Sequence, residues 1–337
     1  MNYHKFSGHI CKGCSQCIKG AKLVLFITGK CPNNCFYCPL GEEVKGRDLV
    51  FANERPVNCD DDLITEATIM NAMGAGITGG EPLLDVGRVV YYIKLLKSVF
   101  GKKFHIHLYT AKPDVSDDEL RMLESSGLDE LRIHPVNFSD KYKTLITRAL
   151  KHSFKVGVEV PAFPNKESEL VKLGNYLRGV NADFLNLNEL EFNESNCSKL
   201  KQYSLNTDSI SSVNGSESVA LNVIKRVSGF NIHYCSAGLK DGLQFRNRLL
   251  RMAKNVARDF ESITVDGTII KGVVSGCKKD LIAIKKGVIV NNCLELSPAF
   301  VERNFKKHPK LSFSLVEYMP TFDRLVVSVV PLGNLQK

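Results

Sequence analysis

Three cysteines spaced CxxxCxxC, Cys31, Cys35 and Cys38, lie in the run KCPNNCFYCPLG directly after the apolar segment Ala21–Gly29 (AKLVLFITG). Thiolates are soft ligands, and tight turns let three of them converge from one short loop. Such a set can bind three irons of a cubane cluster and leave the fourth iron open to an exogenous ligand. A structural zinc site more often shows two CxxC pairs or a Cys/His set. A second trio, Cys11, Cys14 and Cys17, is spaced CxxCxxC just ahead of the same apolar segment, and CxxC spacing is itself a metal signal. This trio needs a fourth ligand, for which Cys235 in FNIHYCSAG is the best candidate, with His233 beside it. A second iron–sulfur cluster or a zinc ion would each fit, and Cys14 and Cys17 alone could pair with His233 and Cys235. The other cysteines, Cys59, Cys197, Cys277 and Cys293, read as buried thiols.

Forty-one residues after Cys38 comes Gly79-Gly80-Glu81-Pro82, at the end of a short strand pattern, Gly76–Thr78. Paired glycines at a strand end let the backbone approach a ligand closely, and the carboxylate that follows can accept a cation.

The CxxxCxxC loop with Tyr37 before its last cysteine, followed by Gly-Gly-Glu-Pro, resembles the radical S-adenosylmethionine (SAM) superfamily. The resemblance implies that Cys31, Cys35 and Cys38 hold a [4Fe–4S] cluster whose open iron chelates the amino and carboxylate groups of SAM. Reductive cleavage then gives methionine and a 5′-deoxyadenosyl radical that abstracts hydrogen from a substrate, with an electron donor such as ferredoxin or flavodoxin. It also implies that Tyr37 and the Gly79, Gly80 and Glu81 segment lie at the cofactor, the latter meeting the SAM amino group. The opening Gly13–Pro39 and the late segment Cys235–Arg251 are similar to archaeal-type proteins related to pyruvate formate-lyase activating enzyme. The leading cysteine trio and a C-terminal extension depart from the simple activating enzymes of glycyl radical proteins.

These motifs need a scaffold. Apolar segments recur at Leu23–Thr28, Gly76–Thr78, Phe104–Tyr109, Leu131–His134, Lys155–Val160 and Phe184–Leu190. Helical patterns lie between them: Asp60–Met73, Val86–Phe100, a capping box opening at Ser116, Asp140–His152 behind Ser139, and Glu167–Arg178. Strands alternating with helices predict an α/β fold with a parallel sheet and right-handed crossovers. Pattern alone does not separate an open doubly wound sheet from a barrel; the resemblance implies a (β/α)6 partial TIM barrel. In barrels, chemistry gathers at the C-terminal strand ends. Those ends carry His107, Tyr109, Thr110, Arg132, His134, Glu159, Asn186, Asn188 and Glu191. His134 and Asn188 are the best candidates among them for contact with SAM or substrate.

The chain has 337 residues, eleven cysteines and a net charge of +9, which fits one large α/β domain with an appendage. No run approaches the length of a membrane span and the N-terminus lacks a signal-peptide core, so a reducing, cytoplasmic setting is expected. Residues 225–310 hold 17 Lys+Arg against 7 Asp+Glu, so the excess charge is local. Within that stretch, KDGLQFRNRLLRMAKNVARDF predicts a helix opening at Asp241. Its core stripe is Leu243, Leu250, Ala253, Ala257 and Phe260, and its basic face is Arg248, Arg251, Lys254 and Arg258. Arg246 falls near the stripe and could pair with a buried acid or bind an anion. Short alternating runs beyond Glu261 predict a small β-rich domain, where Lys278, Lys279, Lys285, Lys286, Lys306 and Lys307 continue the positive field. A macromolecular substrate, RNA or protein, engaged by this basic extension is the expectation, although the chain has no Trp for a base-stacking platform. A glycyl radical generator like the activating enzymes, a small-molecule radical enzyme, and a non-catalytic metal- or RNA-binding module are the alternatives. The domain reading is residues 1–21 as a cysteine-rich metal segment, 22–235 as the core with a Ser/Asn-rich loop at 192–218, and 236–337 as the basic extension.

Overall fold

The computed structural model describes residues 5–284 and 286–333, so Lys285 of the basic run and the first four residues lie outside the described residues. Two compact units divide the chain. The first runs to Ala67 and resumes over Ala72–Gln244; the second takes Thr68–Asn71 and the residues from Phe245 onward.

The first unit opens with strand β1 (Lys5–Ser7), helix α1 (Lys12–Ile18), strand β2 (Lys22–Phe26) and two short strands, β3 (Phe51–Ala52) and β4 (Arg55–Pro56). Helices and strands then alternate: α2 (Asp60–Ile69), β5 (Gly74–Thr78), α3 (Val86–Phe100), β6 (His105–Thr110), α4 (Asp117–Ser126) and β7 (Glu130–Ile133). The alternation continues through α5 (Asp140–Ala149), β8 (Lys155–Pro161), α6 (Glu167–Gly179), β9 (Phe184–Asn188), α7 (Ser216–Arg226) and β10 (Ile232–Cys235). The sheet order is β1-β10-β9-β8-β7-β6-β5-β2-β3-β4, and β2, β5, β6, β7, β8, β9 and β10 are parallel neighbours in chain order. A doubly wound sheet reverses its order at a switch point. This one does not, so successive right-handed crossovers carry every connecting helix to the same face. The winding is that of a barrel, and it stays open because β2 and β10 pair with β3 and β1 instead of with each other. The parallel set has one strand more than the six apolar segments predicted, the addition being the strand that carries Cys235.

The two faces differ in chemistry. Leu23, Leu25, Ala75, Ile77, Ile106, Leu108, Leu131, Ile133, Val156, Val158, Leu185 and Leu187 are all fully buried on one face. Alternate positions carry Lys22, His105, His107, Glu130, Arg132, Asn186 and His233, which are just as buried. The polar residues that look misplaced in the sequence therefore form the inner face. Helix α1 packs on that face against β2, β5 and β6. It comes close because residue 13 is glycine: a Cβ there would run into the Arg132 guanidinium. The cysteine segment at residues 11–17 is thus part of the core unit and not a separate appendage.

Local signals mostly hold. Ser116 and Glu119 form both halves of a capping box. Ser139 occupies the N-cap position of α5 but makes no side-chain cap bond, and α5 ends at Ala149, short of His152. Residues 192–218 are more ordered than a Ser/Asn-rich loop suggests. Leu200 and Val213 are buried with Phe163 and Leu190, and two isolated bridges, Glu191 to Ser212 and Leu205 to Val213, tie the segment together. Cys59, Cys197 and Cys277 are exposed, contrary to the reading of buried thiols. The basic helix also begins earlier than Asp241. Ser236 caps α8 (Ala237–Leu239), and the chain continues through a π-turn, Lys240–Phe245, that contains Asp241.

In the second unit, α9 (Arg246–Val256) buries Leu249, Met252 and Ala253, so the predicted stripe is displaced by one residue over much of its length. Arg246 pairs with the exposed Asp266 and the Val265 carbonyl, not with a buried acid. An antiparallel sheet follows, built from β11 (Ser262–Ile263), β12 (Ile269–Ser275), β13 (Val288–Val290), β14 (Cys293–Leu296), β15 (Ser312–Tyr318) and β16 (Val326–Leu332). Helices α10 (Lys278–Ala283) and α11 (Pro298–Asn304) accompany it, and Val274, Leu281, Leu294, Leu296, Val301 and Phe313 form its core.

Candidate active site

Strand β2 delivers the chain to the cysteine loop. Its base is pinned by Gly29 N–H to Arg47 O (2.8 Å) and Gly46 N–H to Gly29 O (2.8 Å). Arg88 braces the same point, donating to the Ile27 carbonyl (3.0 Å) and through two nitrogens to Asp48 (2.6 and 3.2 Å). A bidentate pair of this kind fixes geometry as well as charge. Phe36 and Tyr37 seat the loop against Phe163 (centroids 5.6 and 5.1 Å). The 192–218 segment holds it from the other side: Asn193 donates to Pro39 O (3.0 Å) and Asn196 to Tyr37 O (3.2 Å).

Cys31, Cys35 and Cys38 all line a cavity of about 590 Å³ at the C-terminal ends of the parallel strands. Burial pushes the thiols of Cys31 and Cys35 up from their ordinary range, and the neighbouring cysteines push the same way. Like groups that raise one another's pKa in this way are good ligands for a shared cation, which removes the repulsion. Among the described residues no three His, Cys, Asp or Glu side chains already stand at metal-binding distance, at this trio or elsewhere. The donor set is nonetheless that of a cluster with one open iron: three soft thiols on one loop, facing a cavity that has room for a further ligand.

The Gly79-Gly80 turn lines the same cavity. Gly79 has φ +151°, in glycine's region, and a Cβ on Gly80 would run into the Lys30 carbonyl oxygen. The backbone is therefore laid against the cysteine loop, with Gly80 N–H bonded to Thr28 O (2.6 Å) and Glu81 N–H to Lys30 O (2.8 Å). Glu81 departs from expectation. Its side chain is fully buried and does not line the cavity. One carboxylate oxygen accepts from Leu83 N–H (3.0 Å) and Thr110 Oγ1 (2.7 Å), and the other from Ala111 N–H (2.6 Å). The carboxylate ties the end of β5 to the end of β6 instead of presenting itself to a ligand cation.

His134 and Asn188 do line the cavity, with Glu159 between them. His134 Nδ1 donates to Glu159 O (2.8 Å), since a carbonyl only accepts; Nε2 then accepts a hydrogen bond from the Tyr37 hydroxyl (2.8 Å). Burial lowers the His134 pKa and raises that of Tyr37, so both stay neutral in that pairing. The Glu159 carboxylate accepts from Asn188 (2.9 Å), Asn186 (2.9 Å) and Arg132 (2.8 Å), and Arg132 also holds Glu130 (2.6 Å) and the Tyr109 hydroxyl (3.0 Å). Glu159, Tyr109 and Thr110 were visible in the sequence only as polar strand ends. Lys45, which also lines the cavity, carried no signal at all.

The second cysteine set lies deeper on the inner face. Cys14 is buried, and its Sγ accepts from Asn186 (3.3 Å) and Arg132 (3.5 Å). Cys11 sits nearer the rim, between Glu130 (3.7 Å) and Arg132 (3.3 Å). Burial pushes Cys17 and Cys235 up to about 12.

The radical SAM superfamily model matches residues 25–159, which contain the cysteine loop and the Gly79-Gly80 turn. A Methanocaldococcus jannaschii protein, provisionally named a glycyl-radical enzyme activating enzyme, is 39% identical over 95% of this chain and 92% of its own length. Among solved structures, the radical SAM methyltransferase TsrM from Kitasatospora setae superposes with a TM-score of 0.39 at 10% identity, covering 55% of this chain and 39% of its own. SuiB of Streptococcus suis, bound to its precursor peptide SuiA, gives 0.45 at 12% identity, covering 74% and 58%. The chain thus spans less than two thirds of either solved protein. No helix among the described residues is long and apolar enough to cross a membrane. With the cysteine loop, the strand-end cavity and a relative matched along nearly its whole length, the chain belongs to the radical SAM superfamily, enzymes that work with a [4Fe–4S] cluster and S-adenosylmethionine.

Proposed function

We propose that this enzyme acts on a protein, with Cys31, Cys35 and Cys38 holding the cluster and the 590 Å³ cavity receiving SAM and the reacting segment. The observation that carries the site is the convergence of the three cysteines and the Gly79-Gly80 turn on one cavity at the strand ends. A cluster held by Cys31, Cys35 and Cys38 would supply the electron for reductive cleavage of SAM, and with it the radical chemistry that removes a hydrogen atom from the substrate. The chain's own part is placement. The Gly79-Gly80 backbone and the Asn188 amide offer polar groups at the wall, the neutral Tyr37–His134 pair fixes the loop against β7, and Glu159 orders the floor. Phe36 and Tyr37 pack on the buried Phe163 and fix the position of the loop. The electron comes from a small reduced carrier of the ferredoxin or flavodoxin kind.

A protein substrate is supported by the name of the Methanocaldococcus relative, whose class activates another enzyme. An RNA footprint draws less support. On the basic helix face Arg258 is spent on Glu261 and Glu295, and Arg251 donates to the Met70 and Asn71 carbonyls. The test is anaerobic reconstitution with iron and sulfide, then SAM and dithionite, with 5′-deoxyadenosine measured alone and with deuterated peptide pools. Product from the wild type, none from the Cys31/Cys35/Cys38→Ala triple variant, and deuterium in 5′-deoxyadenosine with peptide are expected. Absence of product, or equal product from the triple variant, refutes the assignment of the site; deuterium transfer from RNA and not from peptide refutes the substrate.

A further inference from the structure

The radical SAM site uses none of the cysteines on α1, yet α1 turns Cys14 and Cys17 toward the inner face. Cys14 Sγ already accepts N–H groups from Asn186 and Arg132. In the ladder between β9 and β10, His233 is opposite Asn186 and Cys235 opposite Asn188. Both therefore point to the side of the sheet on which Asn186 reaches Cys14. His233 is only 2% exposed, and neither of its ring nitrogens has a hydrogen-bond partner; the carbonyl oxygen of Asn186, its partner across the ladder, is also unpartnered. Buried polar atoms are nearly always satisfied, so an imidazole open at both nitrogens next to a group of thiols calls for a ligand.

We propose that Cys14, Cys17, His233 and Cys235 form a second metal site, closed and tetrahedral, for a single ion of the zinc class. Three thiolates and one imidazole are a standard donor set for such an ion. The surroundings fit it. Thiolate ligands are commonly steadied by N–H donors outside the metal, and Arg132 and Asn186 already play that part toward Cys14. Cys11 is placed outside the set, at its edge: its thiol adjoins Cys14 and lies between Arg132 (3.3 Å) and Glu130 (3.7 Å). A single ion suits the space better than a cubane, since Arg132, Asn186 and α1 already pack against the thiols. Binding draws the four side chains inward from their present positions. The site is tied to the catalytic cavity through Asn186, whose amide bonds both Cys14 and Glu159. It stands whether or not the cavity holds a catalytic cluster.

The test uses the full-length Cys31/Cys35/Cys38→Ala protein, in which the catalytic trio is gone. Metal analysis is expected to find one zinc per chain and no acid-labile sulfide, with zinc affinity falling roughly tenfold or more in the added variants Cys14→Ser and His233→Gln. Because those variants could misfold, cobalt(II) loading gives a second readout. Tetrahedral thiolate-rich cobalt shows intense visible bands, and His233→Cys should keep the metal while shifting those bands to longer wavelength. A triple variant that binds neither zinc nor cobalt overturns the proposal. So do iron with sulfide at this position, unchanged metal content after Cys14→Ser and His233→Gln, and cobalt bands indifferent to His233→Cys.

Discussion

Glu81 separates two accounts of the Gly79-Gly80-Glu81-Pro82 turn. If its carboxylate met the SAM ammonium, Glu81→Gln would weaken SAM binding and leave the fold alone. The structure gives the carboxylate three protein donors instead: Leu83 N–H, Ala111 N–H and Thr110 Oγ1. A glutamine has one acceptor oxygen and one donor amide. In either orientation its NH2 faces a buried backbone N–H, that of Ala111 or, after a flip, that of Leu83, while the Thr110 hydroxyl can rotate. One buried donor is then left unmade, which costs about 1–3 kcal/mol, and relief from burying a charge offsets part of that. A net loss of about 1 kcal/mol in a unit of about 240 residues lowers Tm by roughly 2–4 °C. Calorimetry or dichroism melts of apoprotein measure this without any cofactor, and SAM titration of the reconstituted protein measures the other branch. A Tm within about 1 °C of wild type together with SAM affinity weakened about tenfold or more would refute the structural assignment.

Three further outcomes follow from other parts of the site. Gly80→Ala drives a Cβ into the Lys30 carbonyl and lifts the cysteine loop from its wall, so iron retained after reconstitution should fall, as read by iron and sulfide analysis. Tyr37→Phe removes the hydroxyl that His134 Nε2 accepts, worth about 1 kcal/mol, and should lower kcat/KM for SAM cleavage about fivefold. Lys22 is buried on the inner face, and burial holds its amine down to about 7. The native state therefore gives up that proton well before the unfolded chain does, near the ordinary lysine value of about 10.5. The stability this lysine would otherwise cost is recovered as pH rises between those values, by up to about 1.4 kcal/mol per pH unit. Urea unfolding at several pH values should show this slope in the wild type and lose it in Lys22→Met.

The sequence by itself determined what is local. The CxxxCxYC spacing and the glycines at residues 79 and 80 specify chemistry within a few residues of chain, and the regular exchange of apolar segments and helix caps specified strands and crossovers. Helix boundaries fared less well at the C-terminal end of α5, which stops at Ala149 short of His152, and where a π-turn precedes the basic helix, at Asp241. What only the tertiary structure decided is whatever depends on strand order and register. Open barrel or doubly wound sheet is a question of neighbours, which periodicity does not encode. The direction of Glu81 was settled by the position of Thr110 and Ala111 on the next strand. Asn186, Glu159 and Arg132 looked like unrelated polar strand ends until register placed them around one carboxylate. The early cysteine trio changed most. Spacing marked it as metal-binding, but only the docking of α1 on the inner face brought Cys14 beside Asn186, the ladder partner of His233, because a contact across 172 residues is made by the fold and not by the motif.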